Sequence, residues 1–415
     1  YSATAGDNFT WDASEECLII TGTDAAQALK VADGDLVVVD KIYLYDNDGG
    51  EYISGDGTDL TLTSGSDIHL TAANDVNIPV NVGLRFGDGG ENIETDNTSL
   101  TITAATVSAL VLDANSRISL SNNDSSGAVG TTLLGYLAGN GIVSGAINNT
   151  YIGHGVGDAG SQSNAADNNT GVGFDALSAL TAGRDNASFG AWALNANTSG
   201  NYNTAVGSSA LYSNATTHNN TAVGYYSGLS TTGADNTYVG YKAGNGASGA
   251  EAYNVGVGSN ALLAITTGNY NCVMGYVAGD AITTGTSNII IGAGAGSTTT
   301  DVDRAVIIGH DAGGAGDITA AADGTIAIGY SALTALTSGA GNVAIGYQAA
   351  DALTTGQLNT AVGTYALGAS IDGSYNAAFG YGAMLFFEGG SDAGENTAIG
   401  YSTGRFNVDG INNVY

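Results

Sequence analysis

The chain has 415 residues and a formal net charge of −31, although only 11% of its residues are charged. A polyanion repels nucleic acid and anionic membranes, so this charge argues against both as direct partners. Because 43% of the residues are apolar, the composition also argues against disorder. We interpret the dispersed carboxylates as groups that keep a long, glycine-rich fibre soluble. Acidic residues gathered for cation binding are the alternative.

Segment 1–121 contains a repeat with a period near 40 residues. The strings LIIT (18–21), LTLT (60–63) and LTIT (100–103) begin 42 and 40 residues apart. Alternation of apolar and polar residues between Gly/Asp turns predicts short strands. We therefore predict a stalk of β repeats over 1–121, followed by a transition segment rich in Gly, Ser and Asn over 122–148.

Residues 149–415 carry fifteen copies of a five-residue motif: Asn, a β-branched or small residue, a small residue, a large apolar residue and Gly. Most copies lie 17 residues apart, and Asn413 begins a truncated sixteenth, so we expect a fragment of a longer protein. Such repeats predict a solenoid in which stacked coils complete one another's core. The motif glycines are at positions 153, 173, 190, 207, 224, 240, 258, 275, 292, 309, 329, 346, 363, 380 and 400.

Each motif predicts one short strand, because the second and fourth positions share one face and the third position shares the other with Gly. The large apolar fourth residue is expected to line the interior, so Val223→Asp should be severely destabilising. A second short strand is expected after the Gly. Strand, turn, strand, turn in about 17 residues predicts an all-β fold, a parallel β-solenoid or β-roll.

The lead asparagine is expected to stack at one corner of the coils, where amides can hydrogen-bond along the fibre axis. It is present in 13 of the 15 copies, the exceptions being Ala305 and Thr325. The residues assigned to the structural repeat in three clear copies are Asn203, Val206, Gly207, Asn220, Val223, Gly224, Asn342, Ile345 and Gly346.

The third motif position and the motif Gly are expected to form an outer face without charge. Small residues let backbones approach closely, so three identical chains around one axis would bury three such faces. We therefore predict a homotrimeric fibre and expect Ala344→Arg to weaken its assembly.

Two sets of strings resemble known fibre proteins. FTWDASEECLIITGTDA (9–25) and GDGTDLTLTSGSDIHLTA (55–72) resemble repeats of marine phage tail-fibre and related virion structural proteins. NTAVGYYSGLSTTGADNTYVGYKAG (220–244) resembles the Gly-rich repeats of such fibres and is similar to the head repeats of trimeric autotransporter adhesins. The adhesin resemblance implies a left-handed parallel β-roll that assembles as a trimer.

The sequence predicts no enzyme, so no catalytic residue, cofactor-binding residue or metal ligand is assigned. GVGDAG (155–160) fits a dinucleotide-binding pattern, but no helical pattern follows it. None of the four histidines has a second His or Cys at metal-ligand spacing. Cys17 and Cys272 form no disulfide framework. A structural Ca²⁺ at the Asp-rich turns within 46–62 is a minor alternative.

Tyrosine often follows the motif Gly, and we weigh a glycan-contacting strip against ordinary packing of a half-buried surface. The residues assigned to this surface are Tyr225, Tyr241, Tyr276, Tyr330 and Tyr347.

We predict a structural fibre segment of an extracellular appendage, most similar to a phage tail fibre that carries or spaces a receptor-binding tip. Its expected partners are its own copies, other fibre or virion proteins and, as a further candidate, host-surface glycan. No stretch approaches the roughly 20 apolar residues of a membrane helix, so no membrane insertion is expected. The alternatives are a bacterial surface adhesin whose lateral surface binds glycans and a polysaccharide-degrading tailspike.

Overall fold

The computed structural model describes residues 8–12, 17–21 and 130–415, except 144, 161, 248, 388–393 and 409. The chain divides into two units, Tyr1–Ala109 and Leu110–Tyr415. In the first unit, β1 (Asn8–Asp12) pairs antiparallel with β2 (Cys17–Thr21). The string LIIT lies in β2, whereas the predicted repeats at 60–63 and 100–103 lie outside the described residues.

The second unit contains a sheet of sixteen short parallel strands, stacked in strict chain order. This confirms the predicted parallel β-solenoid. The strands are β3 (Thr132–Leu134), β4 (Thr150–Ile152), β5 (Thr170–Val172), β6 (Ala187–Phe189), β7 (Thr204–Val206), β8 (Thr221–Val223), β9 (Thr237–Val239), β10 (Val255–Val257), β11 (Cys272–Met274), β12 (Ile289–Ile291), β13 (Val306–Ile308), β14 (Ile326–Ile328), β15 (Val343–Ile345), β16 (Thr360–Val362), β17 (Ala377–Phe379) and β18 (Thr397–Ile399).

The sheet begins one coil earlier than the motif count predicts. Strand β3 lies inside the segment 122–148, which the sequence analysis treats as a transition. Its string TLLG has the apolar residue and the glycine of the motif but no lead asparagine, because Thr131 occupies that place. At the other end, Val414 bridges Thr397, as expected for the start of a further coil.

Each coil contains one strand, and the prediction of a second strand after the motif Gly is wrong. That second segment is a series of turns whose backbone still bonds to the next coil. The Leu211 N–H donates to the Ser227 carbonyl at 3.0 Å, and the Ser213 N–H donates to the Leu229 carbonyl at 2.9 Å. Inter-coil hydrogen bonds therefore continue around the coil without strand geometry.

Turns of this tightness come from three left-handed backbone positions that recur in each coil. They are the residue before the lead Asn and the residues two and four places after the motif Gly, such as Tyr202 (φ 57°), Ser209 (φ 55°) and Leu211 (φ 51°). A non-glycine residue in this conformation costs roughly 1–2 kcal/mol. The hydrogen bonds to the next coil offset that cost.

The face assignment from the sequence is wrong. The third motif position points into the coil, and Ala205, Ala222 and Ala344 have no exposed surface. The fourth position points outward, since Val206 is 38% exposed and Ile345 is 38% exposed. The alternation is as predicted, but its direction is reversed. The reason is the thinness of the coil, in which the turn segment packs directly against the inner face of the strand.

Side-chain size is balanced across this thin interior. Where the strand's central residue is small, as at Ala205, the residue six places later is large, here Leu211. Where the central residue is large, as at Tyr151, the later residue is Gly157. A Cβ on Gly157 would lie 2.6 Å from Cε2 of Tyr151, so only glycine fits beside this ring. Pairs six residues apart therefore jointly fill most coils.

Insertions are placed in the loops and leave the strands in register. The coil between Gly309 and Gly329 is 20 residues long, and its extra residues form the 3₁₀ turn Ala320–Ala322. Strands β13 and β14 on either side still pair residue for residue. Length variation is thus tolerated outside the stacked strand.

Candidate functional site

The lead asparagines form a buried ladder at one corner of the solenoid, as predicted. The Asn220 Oδ1 accepts hydrogen bonds from the backbone N–H of Asn236 at 3.0 Å and from its Nδ2 at 3.2 Å. The Asn220 Nδ2 donates to the Gly233 carbonyl at 2.9 Å. Each amide therefore bonds to the next coil through both its oxygen and its nitrogen, which explains the asparagine at this position.

The ladder is interrupted at the two copies that lack asparagine. Ala305 still donates its backbone N–H to Asn288 at 2.9 Å, but it has no amide to continue the series. The Thr325 hydroxyl instead donates to the Ala322 carbonyl at 2.6 Å. The ladder resumes at Asn342 and continues to Asn413. Thr325 thus replaces the amide contact with a local bond, whereas Ala305 leaves it unreplaced.

The outward side of the parallel sheet is a ribbon two side chains wide, which we call the apolar ribbon. It consists of the first and third residues of β3–β18, and all of them are Thr, Ala, Val, Ile, Leu, Phe, Met or Cys. Val206, Val223 and Ile345 of the structural repeat all lie on it. Met274 is 47% exposed and Ile399 is 64% exposed. A long, largely apolar surface of this kind is a candidate interaction site.

The five tyrosines assigned to the surface are exposed, and several of them stack along the axis. The rings of Tyr225 and Tyr241 have centroids 5.8 Å apart, and those of Tyr330 and Tyr347 have centroids 5.1 Å apart. His310 stacks on Tyr330 at 5.6 Å, so histidine substitutes for tyrosine in this column. Tyr276 stands between Ser259 and Ala293 of the neighbouring coils.

Stacking limits what the tyrosine column can bind. A sugar ring recognised by tyrosine lies against the flat face of the aromatic ring. Within the stacked pairs those faces are turned toward the next ring, at interplanar angles of 12° for Tyr225–Tyr241 and 10° for Tyr330–Tyr347. The column therefore presents mainly ring edges and hydroxyls, which suits packing along the solenoid axis better than binding a continuous row of sugar rings.

One acidic side chain is buried inside the solenoid, and the sequence analysis did not detect it. Glu251 is 1% exposed, and among the described residues neither its Oε2 nor the hydroxyl of Tyr238 has a hydrogen-bond partner. Burial raises the pKa of Glu251 from 4.5 to about 7. It also raises the pKa of Tyr238, to which the charge of Glu251 contributes. The sequence did contain a signal for this buried acid, because Glu251 stands at a loop position where the other coils have an apolar or small residue.

Glu251 should make stability depend on pH. Between pH 4.5 and 7 the folded protein holds a proton that the unfolded chain releases, so the free energy of unfolding should fall as the pH rises through this window. We expect a loss on the order of 2 kcal/mol, because one pKa unit corresponds to about 1.36 kcal/mol and residual solvation screens part of the shift. Urea unfolding at pH 5 and pH 8 measures it. Glu251→Gln should be much less sensitive, and an equal pH dependence in both proteins would contradict the assignment.

The described residues contain no cluster of three or more His, Cys, Asp or Glu side chains that could hold a metal ion. The Asp-rich turns within 46–62, where a Ca²⁺ was considered, lie outside them. The string GVGDAG forms the turns after β4, and the next element in the described part of the chain is strand β5. The longest helix there is the three-residue turn Ala320–Ala322, so none could cross a membrane.

Neither a family model nor a curated protein sequence matches this chain. The function must therefore be inferred from the surfaces described above.

Proposed function

We propose that this chain is a structural fibre segment of an extracellular appendage and that it assembles as a homotrimer through the apolar ribbon. The stacked architecture supports this role, because each coil contacts only its neighbours and any number of coils can extend the same sheet. The observation that carries the proposal is the ribbon, which would otherwise leave valine, isoleucine, phenylalanine and methionine side chains in water.

The size of the ribbon supports a stable interface. Sixteen strands at a spacing of about 4.8 Å extend for about 70 Å, and three residues of strand are about 10 Å wide. The resulting area, on the order of 700 Å², approaches the roughly 800 Å² that each partner contributes to a standard protein interface. No residue on the ribbon is charged, so packing copies against one another would leave no unpaired charge buried.

The proposed trimer uses the apolar ribbon and not the face of small residues that was expected from the sequence. The small third residues, such as Ala344, lie inside the coil and cannot meet another chain. The ribbon of larger apolar residues takes their place. Three narrow ribbons can face a common axis and cover one another, which is a closed cyclic assembly.

A phage tail fibre that carries or spaces a receptor-binding tip is the appendage we propose, on the strength of the repeat resemblance. A bacterial surface adhesin is the second candidate, since its head repeats resemble the same segment. The buried asparagine ladder supports either fibre, because it ties each coil to the next over long stretches.

Light scattering of the purified chain should give about three times the chain mass of 41.1 kDa. Ile345→Asp should lower this mass toward that of one chain, because it places a charge on the ribbon without entering the coil. Lys242→Asp, which changes the charge away from the ribbon, is the matched control and should remain trimeric. A mass of 41.1 kDa that persists at high concentration would contradict the proposal.

Cys272 reports whether the ribbon itself is the interface. It is the first residue of β11 and an exposed free thiol on the single chain. In a Cys17→Ser background, maleimide labelling of Cys272 should be at least tenfold slower in the wild-type assembly than in Ile345→Asp. Equal labelling rates in a trimer would place the interface elsewhere.

A further inference from the structure

A cleft on the surface of the turn segment is not explained by fibre assembly. It has a volume of about 490 Å³, within the size range of small-molecule sites. It spans the three coils whose motif glycines are Gly190, Gly207 and Gly224. Besides Leu229, its lining consists of three aromatic residues and three serines: Trp192, Tyr212, Tyr226, Ser209, Ser213 and Ser230.

The cleft arises from one column of stacked side chains. The residue two places after the motif Gly is Trp192, then Ser209, then Tyr226 in the three consecutive coils. A small residue between two large ones leaves a gap with Ser209 at its floor, where this serine is only 6% exposed. The two rings are two coils apart, or about 10 Å along the axis. Tyr212 comes from the middle coil and completes the wall.

Both outer rings are held by neighbouring aromatic residues. Phe174 meets Trp192 edge to face with centroids 5.6 Å apart. Tyr225 stacks on Tyr226 with centroids 3.9 Å apart. Rings supported in this way lose little conformational entropy when a ligand binds. The cleft is therefore formed before binding.

The chemistry of the lining selects the class of ligand. Pyranose rings have apolar C–H faces and hydroxyl edges, which match aromatic rings and serine hydroxyls respectively. None of the lining residues is charged, and the chain carries a net charge of −31. Nucleic acid and anionic sugars would meet no Lys or Arg in the cleft and would be repelled by the chain as a whole.

We propose that the cleft between Trp192 and Tyr226 binds a short neutral oligosaccharide. The cleft lies on the turn segment, whose inner residues pack against the inner side of the strand, whereas the apolar ribbon is the outer side of that strand. Assembly through the ribbon would thus leave the cleft open. The inference does not depend on the proposed fibre function, and the two are tested by different measurements.

The test uses the full chain with Trp11→Phe, so that Trp192 is the remaining tryptophan. The probes are maltotetraose, cellotetraose, mannotetraose and chitotetraose, with tetragalacturonate as the anionic comparison. At least one neutral probe should shift the Trp192 emission saturably, with a Kd of about 1 mM or below. Tyr212→Ala and Tyr226→Ala should each weaken that binding at least tenfold. Tyr347→Ala removes an exposed tyrosine outside the cleft and should leave the binding unchanged.

Three results would overturn the inference. The first is the absence of any response to the four neutral probes at concentrations well above 1 mM. The second is a shift of Trp192 emission that persists in both Tyr212→Ala and Tyr226→Ala, or a shift that tetragalacturonate produces equally well. The third is an emission shift with protein concentration alone, which would show that a second copy of the chain covers Trp192. Light scattering tests the trimer separately from these three results, because it measures the mass of the assembly without a ligand.

Discussion

Replacing Ala222 with aspartate should unfold the coils around β8, whereas Val223→Asp, one residue along the same strand, should leave the solenoid folded. Ala222 has no exposed surface and faces the turn segment inside the coil. A carboxylate there would be buried without a partner in a space sized for a methyl group. We expect a loss of more than about 4 kcal/mol, the range reached by unpaired buried charges and overpacking.

Val223→Asp tests the outward face of the same strand, β8. Val223 is 36% exposed on the apolar ribbon, so a carboxylate there remains hydrated, and we expect a change within about 1 kcal/mol in the separated chain. Its main effect should be loss of the trimer. Hydrogen exchange of residues 220–240 at low protein concentration distinguishes the two variants locally, which matters because a repeat protein can open one region at a time. Faster exchange in Val223→Asp than in Ala222→Asp would reverse the assigned faces.

Gly207→Ala should destabilise the solenoid nearly as much as Ala222→Asp, although it adds a single methyl group. The backbone of Gly207 has φ 133°, a conformation that L residues rarely adopt. A Cβ there would lie 2.6 Å from the carbonyl carbon of Gly224 in the next coil. The carbonyl oxygen of Gly224 is in the way as well, and because both are backbone atoms the two coils would have to separate. We expect a loss of at least about 3 kcal/mol, as for other strained backbone positions without room to relax.

Gly382→Ala is the matched control for Gly207→Ala. Gly382 also has a positive φ, 58°, but the nearest atom to its Cβ position is Oγ of Ser402 at 3.7 Å. It therefore has the conformational cost of a left-handed alanine, about 1 kcal/mol, without the collision. Urea unfolding of the two variants compares them. Equal destabilisation would mean that backbone conformation, and not the stacking distance, explains the motif glycine.

The repeat period predicted most of the architecture. A motif that returns every 17 residues, with too few apolar residues to close its own core, requires parallel coils in register, and the structure has them. The asparagine ladder was also predictable, because an amide repeated at one corner can bond to its copy in the next coil. These features depend on residues that repeat, so each coil predicts the next.

The direction of the faces was not predictable from the pattern. Alternation separates Ala222 from Val223, but it does not say which of the two is inside. Size alone favours the larger residue for the interior, as is usual for a wide core. Here the interior is a single layer between strand and turn, and Leu211 from the turn already fills the space beside Ala205. The sequence did contain a signal for this single-layer interior, because a small central strand residue is usually followed six places later by a large residue, and a large one by glycine.

The cleft and the buried acid depend on departures from the repeat, so only the tertiary structure could place them. Trp192, Ser209 and Tyr226 are 17 residues apart in sequence and become neighbours only when three coils stack. Glu251 enters the interior at a loop position that most other coils fill with a small residue such as Gly268. The period of the sequence determines the scaffold, whereas stacking decides which variable residues meet and which surface they form.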